Sequence, residues 1–504
     1  MRMLIRQIGF VIGLTAMTAP VHAAVAVKAA PSGRIDGPRI VGLAAFIDGV
    51  LAQQIDNREV AGAVVSVVAG KQILFTRGYG FADVERRVPV DPARTLFRPG
   101  STSKLFTWTA LMQLVEQGRV DLDGEVNRYL DFRIPDSGYR PILVRHLLDH
   151  SLGFEDRGGI RAKTVADLMP LGQWLAANVP TRVREPGVET SYSNYGTALA
   201  GYIVQRVSGE PFPDYAERHV FKPLGMDRTT FREPLPAALR ADMASGYDVV
   251  EGRFVARPFE LYGNIGPAGS GSSTAEDMAR FMLAHLHDGA TGSGRILKPQ
   301  TTRLMHSNLS ANARSLPGFA HGFYVVREGG PRLIGHGGNT AYFHSMMLIA
   351  PEQDFGIFVS FTGGDAASQA RTELIDAVIG RVFPATLAPR WAGAPPSPPL
   401  GSYRTNRRTY SVSADPANDI KVAAGPDGGL VVEIAGRKSF WSPIGPETFQ
   451  RVTGARSGGP YDRLLFHGSG TDRLMSFASQ PMVLYRLVET SAGVAPTPPS
   501  TPRN

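Results

Sequence analysis

The chain has no cysteine among its 504 residues. That excludes disulfide staples, thiolate metal sites and a cysteine nucleophile, and leaves stability to buried apolar surface. Lysine is scarce too, with eight among 53 basic residues. No basic run interleaved with aromatics occurs, and a formal charge of +8 is thin over this length, which argues against nucleic acid as a partner. No serine has glycine at both −2 and +2, so the strained G-x-S-x-G turn of one large class of serine esterases is missing. Repeats of solenoid period are absent. Charged residues make up 19% and hydrophobic ones 43%, the balance of a globular protein, and the length allows two domains or more.

What is present falls into segments. Arg2 and Arg6 precede the apolar run "IGFVIGLTAM", and "VHA" at 21–23 offers small residues for a cut after Ala23. This is the layout of a secretory signal peptide over 1–23, too short to span a membrane comfortably. Cleavage removes two arginines, lowers the charge to +6 and leaves no stable membrane anchor, so the expected location is periplasmic or secreted. Residues 24–37 are an Ala/Pro/Gly-rich flexible lead-in.

From 38 to 390 the pattern opens with a helix ("IVGLAAFIDGVLAQQI") and a hairpin turning at Gly70-Lys71. It stays mainly helical from 101 to about 290, returns to strands at 320–362, and closes with "ASQARTELIDAVIGRVF". The economical packing is an α/β (α+β) domain: one antiparallel sheet built from both chain ends, flanked by helices, with a helical lobe beside it and a cleft between them. Residues 391–400 hold a Pro-rich linker, 401–488 read as a small all-β barrel or sandwich, and 489–504 have the composition of a disordered tail.

Chemistry concentrates in "RPGSTSKLFTW" at 98–108. A helix from Ser101 to Gly118, apolar around most of its circumference, would be buried and central. Ser101 and Lys104 share a face one turn apart, with Ser101 at the N-terminal dipole. A desolvated Lys104 has a lowered pKa and accepts the serine proton; the plainer alternative is that Ser101 is only an N-cap. Among the eight lysines, only Lys104 has a serine three residues upstream. Two further signals follow in order: Tyr192-Ser193-Asn194 in "SYSNYG", and His336-Gly337-Gly338 in "GHGGN".

The ordered trio S-x-x-K, Y-x-N, H-x-G resembles the serine β-lactamase and penicillin-binding protein family, in particular its class C and esterase-like branch. The segments "GYGFADVERRVPVD", "VRHLLDHSLGFED", "HVFKPLGM" and "SSTAEDMARFML" look like that family's connecting stretches. The resemblance implies Ser101 as the acylated nucleophile, Lys104 as its base and Tyr192 as a second acid/base that returns the proton to the leaving group. It implies Asn194 as the holder of the substrate's acyl amide and His336 as the residue facing the substrate's anionic end. Gly337 and Gly338 would be a bare strand edge, and the backbone N–H groups of Ser101 and Asn339 an oxyanion hole. No metal and no cofactor are implied; the partner is a small-molecule or peptide substrate with a scissile amide or ester.

The chain departs from the family at two points. There is no E-x-x-L-N to place a deacylating glutamate, and histidine stands where the family usually has the lysine of K-T-G. A neutral imidazole weakens the fixed positive charge, which shifts the expected substrate from β-lactams toward esters or amides of D-amino acids. The alternative is a non-catalytic penicillin-binding or sensor protein on the same scaffold.

Several tempting residues read as structural. Tyr262-Gly263-Asn264 repeats Y-x-N but stands too late in the order. His285 and His287 close a capped helix and miss the H-x-H-x-D metal spacing. His146 and His150 read as packing or capping residues, and Glu155 and Asp156 as solvated. The 401–488 module resembles a lipocalin-like C-terminal barrel of some relatives and is expected to act as a lid or substrate gate.

Overall fold

A computed structural model describes residues 40–292, 294–313, 315–327, 331–384, 388–393, 398–454, 462–469 and 472–488. The signal segment, the lead-in and the tail read from the sequence lie outside these residues, as does part of the linker.

The domain is organised around β1 (Gly62–Ala69), whose eight residues "GAVVSVVA" are buried on both faces. A β-branched run of this kind suits a central strand covered from two sides. β1 pairs antiparallel with β2 (Gln72–Asp83), which pairs with β3 (Val88–Pro89). The later strands are β4 (Asn308–Ser310), β5 (Phe319–Ala320), β6 (Tyr324–Arg327), β7 (Leu333–Asn339), β8 (Phe343–Ala350) and β9 (Phe355–Thr362). They complete a nine-stranded sheet of order β3-β2-β1-β9-β8-β7-β6-β5-β4. Every pairing is antiparallel, and both ends of the domain meet at β1 and β9, as the sequence reading expected.

One face is covered by α1 (Leu43–Asp56) and, near the domain's end, α5 (Asp365–Val382); Leu43, Ile47 and Leu51 meet Leu374 and Val378 over the sheet. The other face carries α2 (Lys104–Glu116), α3 (Asn194–Ser208) and α4 (Ala275–Leu286). Along α2 every residue from Lys104 to Leu114 is buried, which is what its all-round apolar sequence demands. Its entry differs from the helix expected from Ser101 onward. Gly100–Ser103 form a tighter 3₁₀ turn, and the α-helix begins only at Lys104.

Beyond the linker, β10 (Gly401–Thr405), β11 (Ile420–Ala424), β12 (Leu430–Ile434), β13 (Arg437–Pro443), β14 (Thr448–Gly454), β15 (Arg463–His467), β16 (Leu474–Phe477) and β17 (Tyr485–Leu487) close an up-and-down barrel. Tyr403, Trp441, Phe449, Phe466 and Phe477 pack together as its core, with Trp441 and Phe477 also reaching the side that faces the first domain. The barrel docks on the first domain through residues 406–411. Here a sequence expectation is corrected: Glu155 is buried, not solvated, and accepts the backbone N–H groups of Tyr410 at 2.7 Å and Ser411 at 3.2 Å. Asp156 pairs with Arg407 at 3.2 Å. Among the described residues no helix is long and apolar enough to cross a membrane.

Candidate active site

Lys104 lies at the first α-helical position after the 3₁₀ turn, completely buried, with its Nζ 3.0 Å from Ser101 Oγ, 2.8 Å from Asn194 Oδ1 and 2.5 Å from the carbonyl of Ala268. Burial and then the charge of Arg407 hold its pKa well below that of an ordinary lysine. A neutral amine has two N–H donors and one lone pair. The Ala268 carbonyl and the amide oxygen of Asn194 only accept, so they take the two N–H groups. The lone pair is left for the one neighbour that can donate, the hydroxyl of Ser101. Hydrogen-bond bookkeeping alone thus aims the base at the serine.

Tyr192 and Asn194 flank a helix cap. Ser193 is the N-cap of α3, its Oγ accepting from the N–H of Gly196 at 3.0 Å, so the capping residue fixes where its neighbours emerge. Tyr192 is buried, and burial pushes its phenol up to about 12 against the opposing influence of Ser101. It therefore holds its proton at neutral pH. Its ring lies 5.0 Å from Lys104 Nζ and 4.4 Å from the ring of His150. His150, read from sequence as packing, supports this loop directly: it is fully buried and its Nδ1 accepts the N–H of Ser193 at 3.2 Å.

β7 brings the third motif alongside. Its pairing with β6 reaches only to Gly335, whereas its pairing with β8 runs on to Asn339, so residues 336–339 carry no strand neighbour on the Ser101 side. Thr102 Oγ1 donates to the carbonyl of His336 at 3.1 Å. A Cβ on Gly338 would sit 1.9 Å from the carbonyl of Pro99 and 2.9 Å from the nitrogen of Ser101, so only glycine lets strand and turn approach this closely. Gly338→Ala is expected to lower kcat/KM by about 10²-fold, because overpacking must push the serine turn off the strand. Gly337→Ala, whose Cβ would meet nothing nearer than the tip of Met346 at 3.3 Å, should lose far less. Equal losses in the two variants would contradict this reading.

His336 departs from the expectation that it faces an anionic end of the substrate. Its side chain is fully buried, its ring stacks on Tyr324 with centroids 4.1 Å apart, and its Nε2 has no hydrogen-bond partner. Burial, reinforced by Lys104, lowers its pKa to about 3, so the imidazole is neutral at physiological pH. The cation at this site comes from elsewhere. Arg407 of the barrel holds its guanidinium 4.8 Å from the centroid of the Tyr192 ring and lines the same cleft as Ser101. Sequence reasoning missed it, since nothing local ties "TNRRTY" to a serine some 300 residues earlier; the short linker before a strand-rich module was the only hint.

The cleft holds about 860 Å³ and lies between the two domains, with Ser101, Tyr192, Asn194, Gly337 and Asn339 on one wall and Arg407 with Trp441 on the other. The Oδ1 of Asn339 is held by Arg371 at 3.3 Å and His344 at 2.9 Å. Tyr262 and Asn264 stand apart, engaged with Glu260 at 2.9 Å and the N–H of Met169 at 2.7 Å. His285 contacts His306 and Thr109, His287 pairs with Asp354, and His146 accepts the N–H of Leu143, so these histidines serve local structure.

The family model described as Beta-lactamase matches residues 47–379. Protein flp of Staphylococcus aureus (strain MW2) is 26% identical over 329 residues, which cover 62% of this chain and 62% of that protein. The chain thus spans about three fifths of the length of the curated relatives it matches. Among solved structures, the octameric penicillin-binding protein homologue from Pyrococcus abyssi superimposes with a TM-score of 0.58 at 21% identity, over 89% of this chain and 100% of that one. That likeness is one of fold, and it reaches into the barrel. The D-amino acid amidase from Ochrobactrum anthropi SV3 is 27% identical with a TM-score of 0.55, over 68% of this chain and 97% of that one.

Proposed function

The chain belongs to the β-lactamase family, and from that premise we propose that it is an exported serine hydrolase that cleaves esters or amides of D-amino acids through an acyl-enzyme on Ser101. The observation that carries this reading is the triply engaged Lys104 amine, whose one free lone pair faces Ser101 Oγ. Ser101 attacks the carbonyl carbon while its proton passes to Lys104 Nζ. The backbone N–H groups of Ser101 and Asn339 hold the developing oxyanion. Tyr192 protonates the leaving group, and the proton taken by Lys104 restores the phenol. With no E-x-x-L-N carboxylate, the water of the second half-reaction loses its proton to the same Lys104–Tyr192 pair.

The substrate preference rests on charge. A neutral His336 supplies no fixed cation at the strand edge, and the similarity to a D-amino acid amidase favours the same substrate class. A cephalosporin carboxylate finds no cation on that edge, and Arg407 on the barrel side of the cleft is the group it would have to reach. The test is a panel of a chromogenic cephalosporin, a short-chain p-nitrophenyl ester and D-alanyl amide, followed from about pH 5.5 to 8.5. Ester and amide should exceed the cephalosporin in kcat/KM by at least about tenfold, and no KM should inflect with an ordinary imidazole pKa. Dominant cephalosporin turnover would make the protein a β-lactamase. Stoichiometric labelling without turnover would make it the non-catalytic penicillin-binding protein.

A further inference from the structure

The loop bearing Tyr192 is gripped from the barrel. The N–H of Tyr192 donates to the carbonyl of Met482 at 3.0 Å. Two residues earlier, the carbonyl of Thr190 accepts from Asn406 Nδ2 at 3.0 Å, while Asn406 Oδ1 accepts the N–H of Leu484 at 3.1 Å. Asn406 is only 1% exposed and follows directly on β10. Its amide therefore ties the barrel's first and last strands to the segment that presents the phenol. On the other side of Thr190, Asn312 of the first domain accepts the N–H at 2.9 Å. The Tyr192 hydroxyl makes no hydrogen bond of regular geometry and has only looser polar contacts with Ser101 and Tyr324, so the backbone that carries it does much of the aiming.

We propose that Asn406 is a positioning residue for Tyr192, so that the barrel completes the proton-donating half of the site as well as walling the cleft. The inference rests on the reading of Tyr192 as the acid that protonates the leaving group. A misplaced acid has a distinctive consequence. Expulsion of an amine needs the proton, whereas p-nitrophenolate leaves without it. Loosening the grip should therefore slow amides selectively, while simple damage to the fold or to domain docking slows both substrates together.

The experiment uses the full chain and five variants, with kcat and KM measured on D-alanyl amide and, on a p-nitrophenyl ester, the burst of p-nitrophenolate that reports acylation before the deacylation step in which Tyr192 also shares. Asn406→Ala should lower kcat on the amide by about 10- to 100-fold with KM little changed, and lower the rate of the ester burst by no more than about threefold. Asn406→Leu refills the volume and removes the donors to Thr190 and to Glu189 Oε2 along with the acceptor for Leu484, so it should show the same selectivity if the alanine variant folds poorly. In a Tyr192→Phe background, Asn406→Ala should add no further loss on the amide, because it acts through the group already removed. Glu155→Gln loosens the docking at Tyr410 and Ser411 without touching residues 190–192 and should spare the amide-to-ester ratio. Equal losses on both substrates, losses that multiply in the double variant, or the same selectivity in Glu155→Gln would overturn the proposal. Full amide turnover by Tyr192→Phe alone would overturn the underlying role of Tyr192, and the positioning role with it.

Discussion

Ser101→Ala is expected to bring ester and amide hydrolysis down by about 10⁴-fold or more and to abolish covalent labelling by a fluorophosphonate. The reason is local. Ser101 Oγ is the one neighbour of the Lys104 amine able to give up a proton, so its removal leaves the base with nothing to activate except water. Stability should change little, within about 1 kcal/mol, because Ser101 is only partly buried and serves as no side-chain cap. Thermal unfolding and labelling on the same preparation separate a dead site from a dead fold. Retained hydrolysis in Ser101→Ala would sink the mechanism.

Lys104→Ala carries the second large effect, a loss of about 10³-fold in the rate of acylation. The wild-type pH profile tests its role more finely. The folded protein lowers the pKa of Lys104, so the amine becomes neutral, and basic, well below the pH at which a free lysine would. Activity should rise with pH through that lowered pKa and reach its plateau before the ordinary lysine range. Arg407 contributes to the lowering by repelling a second positive charge. Arg407→Gln removes that repulsion, raises the Lys104 pKa and moves the acid limb to higher pH. An acid limb that stays put, or moves the other way, would remove Lys104 as the titrating base.

The parts of the site legible in the sequence were those set by local chemistry. Ser101 and Lys104 share a helical turn, Tyr192 and Asn194 straddle a serine cap, and each spacing survives any rearrangement of distant elements. The sheet was legible for a related reason: β-branched runs around short turns fix strands, and two such regions at the ends of a helical stretch leave few ways to pair. His336 was misjudged because its exposure depends on Tyr324, a residue on the neighbouring strand whose ring covers it. Glu155 and Arg407 were missed because each is defined by the other domain: the first is buried by it, and the second is delivered from it. Contacts between modules leave almost no periodic trace in either sequence.

The sheet's central joint has a consequence for biogenesis. β1 pairs with β9 from Gly62↔Thr362 to Ala69↔Phe355, partners separated by up to 300 positions along the chain. During synthesis, the apolar strand "GAVVSVVA" emerges early and waits for most of the domain before its second neighbour exists. Loop closure over that span is slow, and an unpaired hydrophobic strand invites intermolecular association meanwhile. Nascent chains should therefore stay unfolded and chaperone-dependent until residues near 362 have emerged. A chain that stays open that long remains in the state a translocation channel accepts.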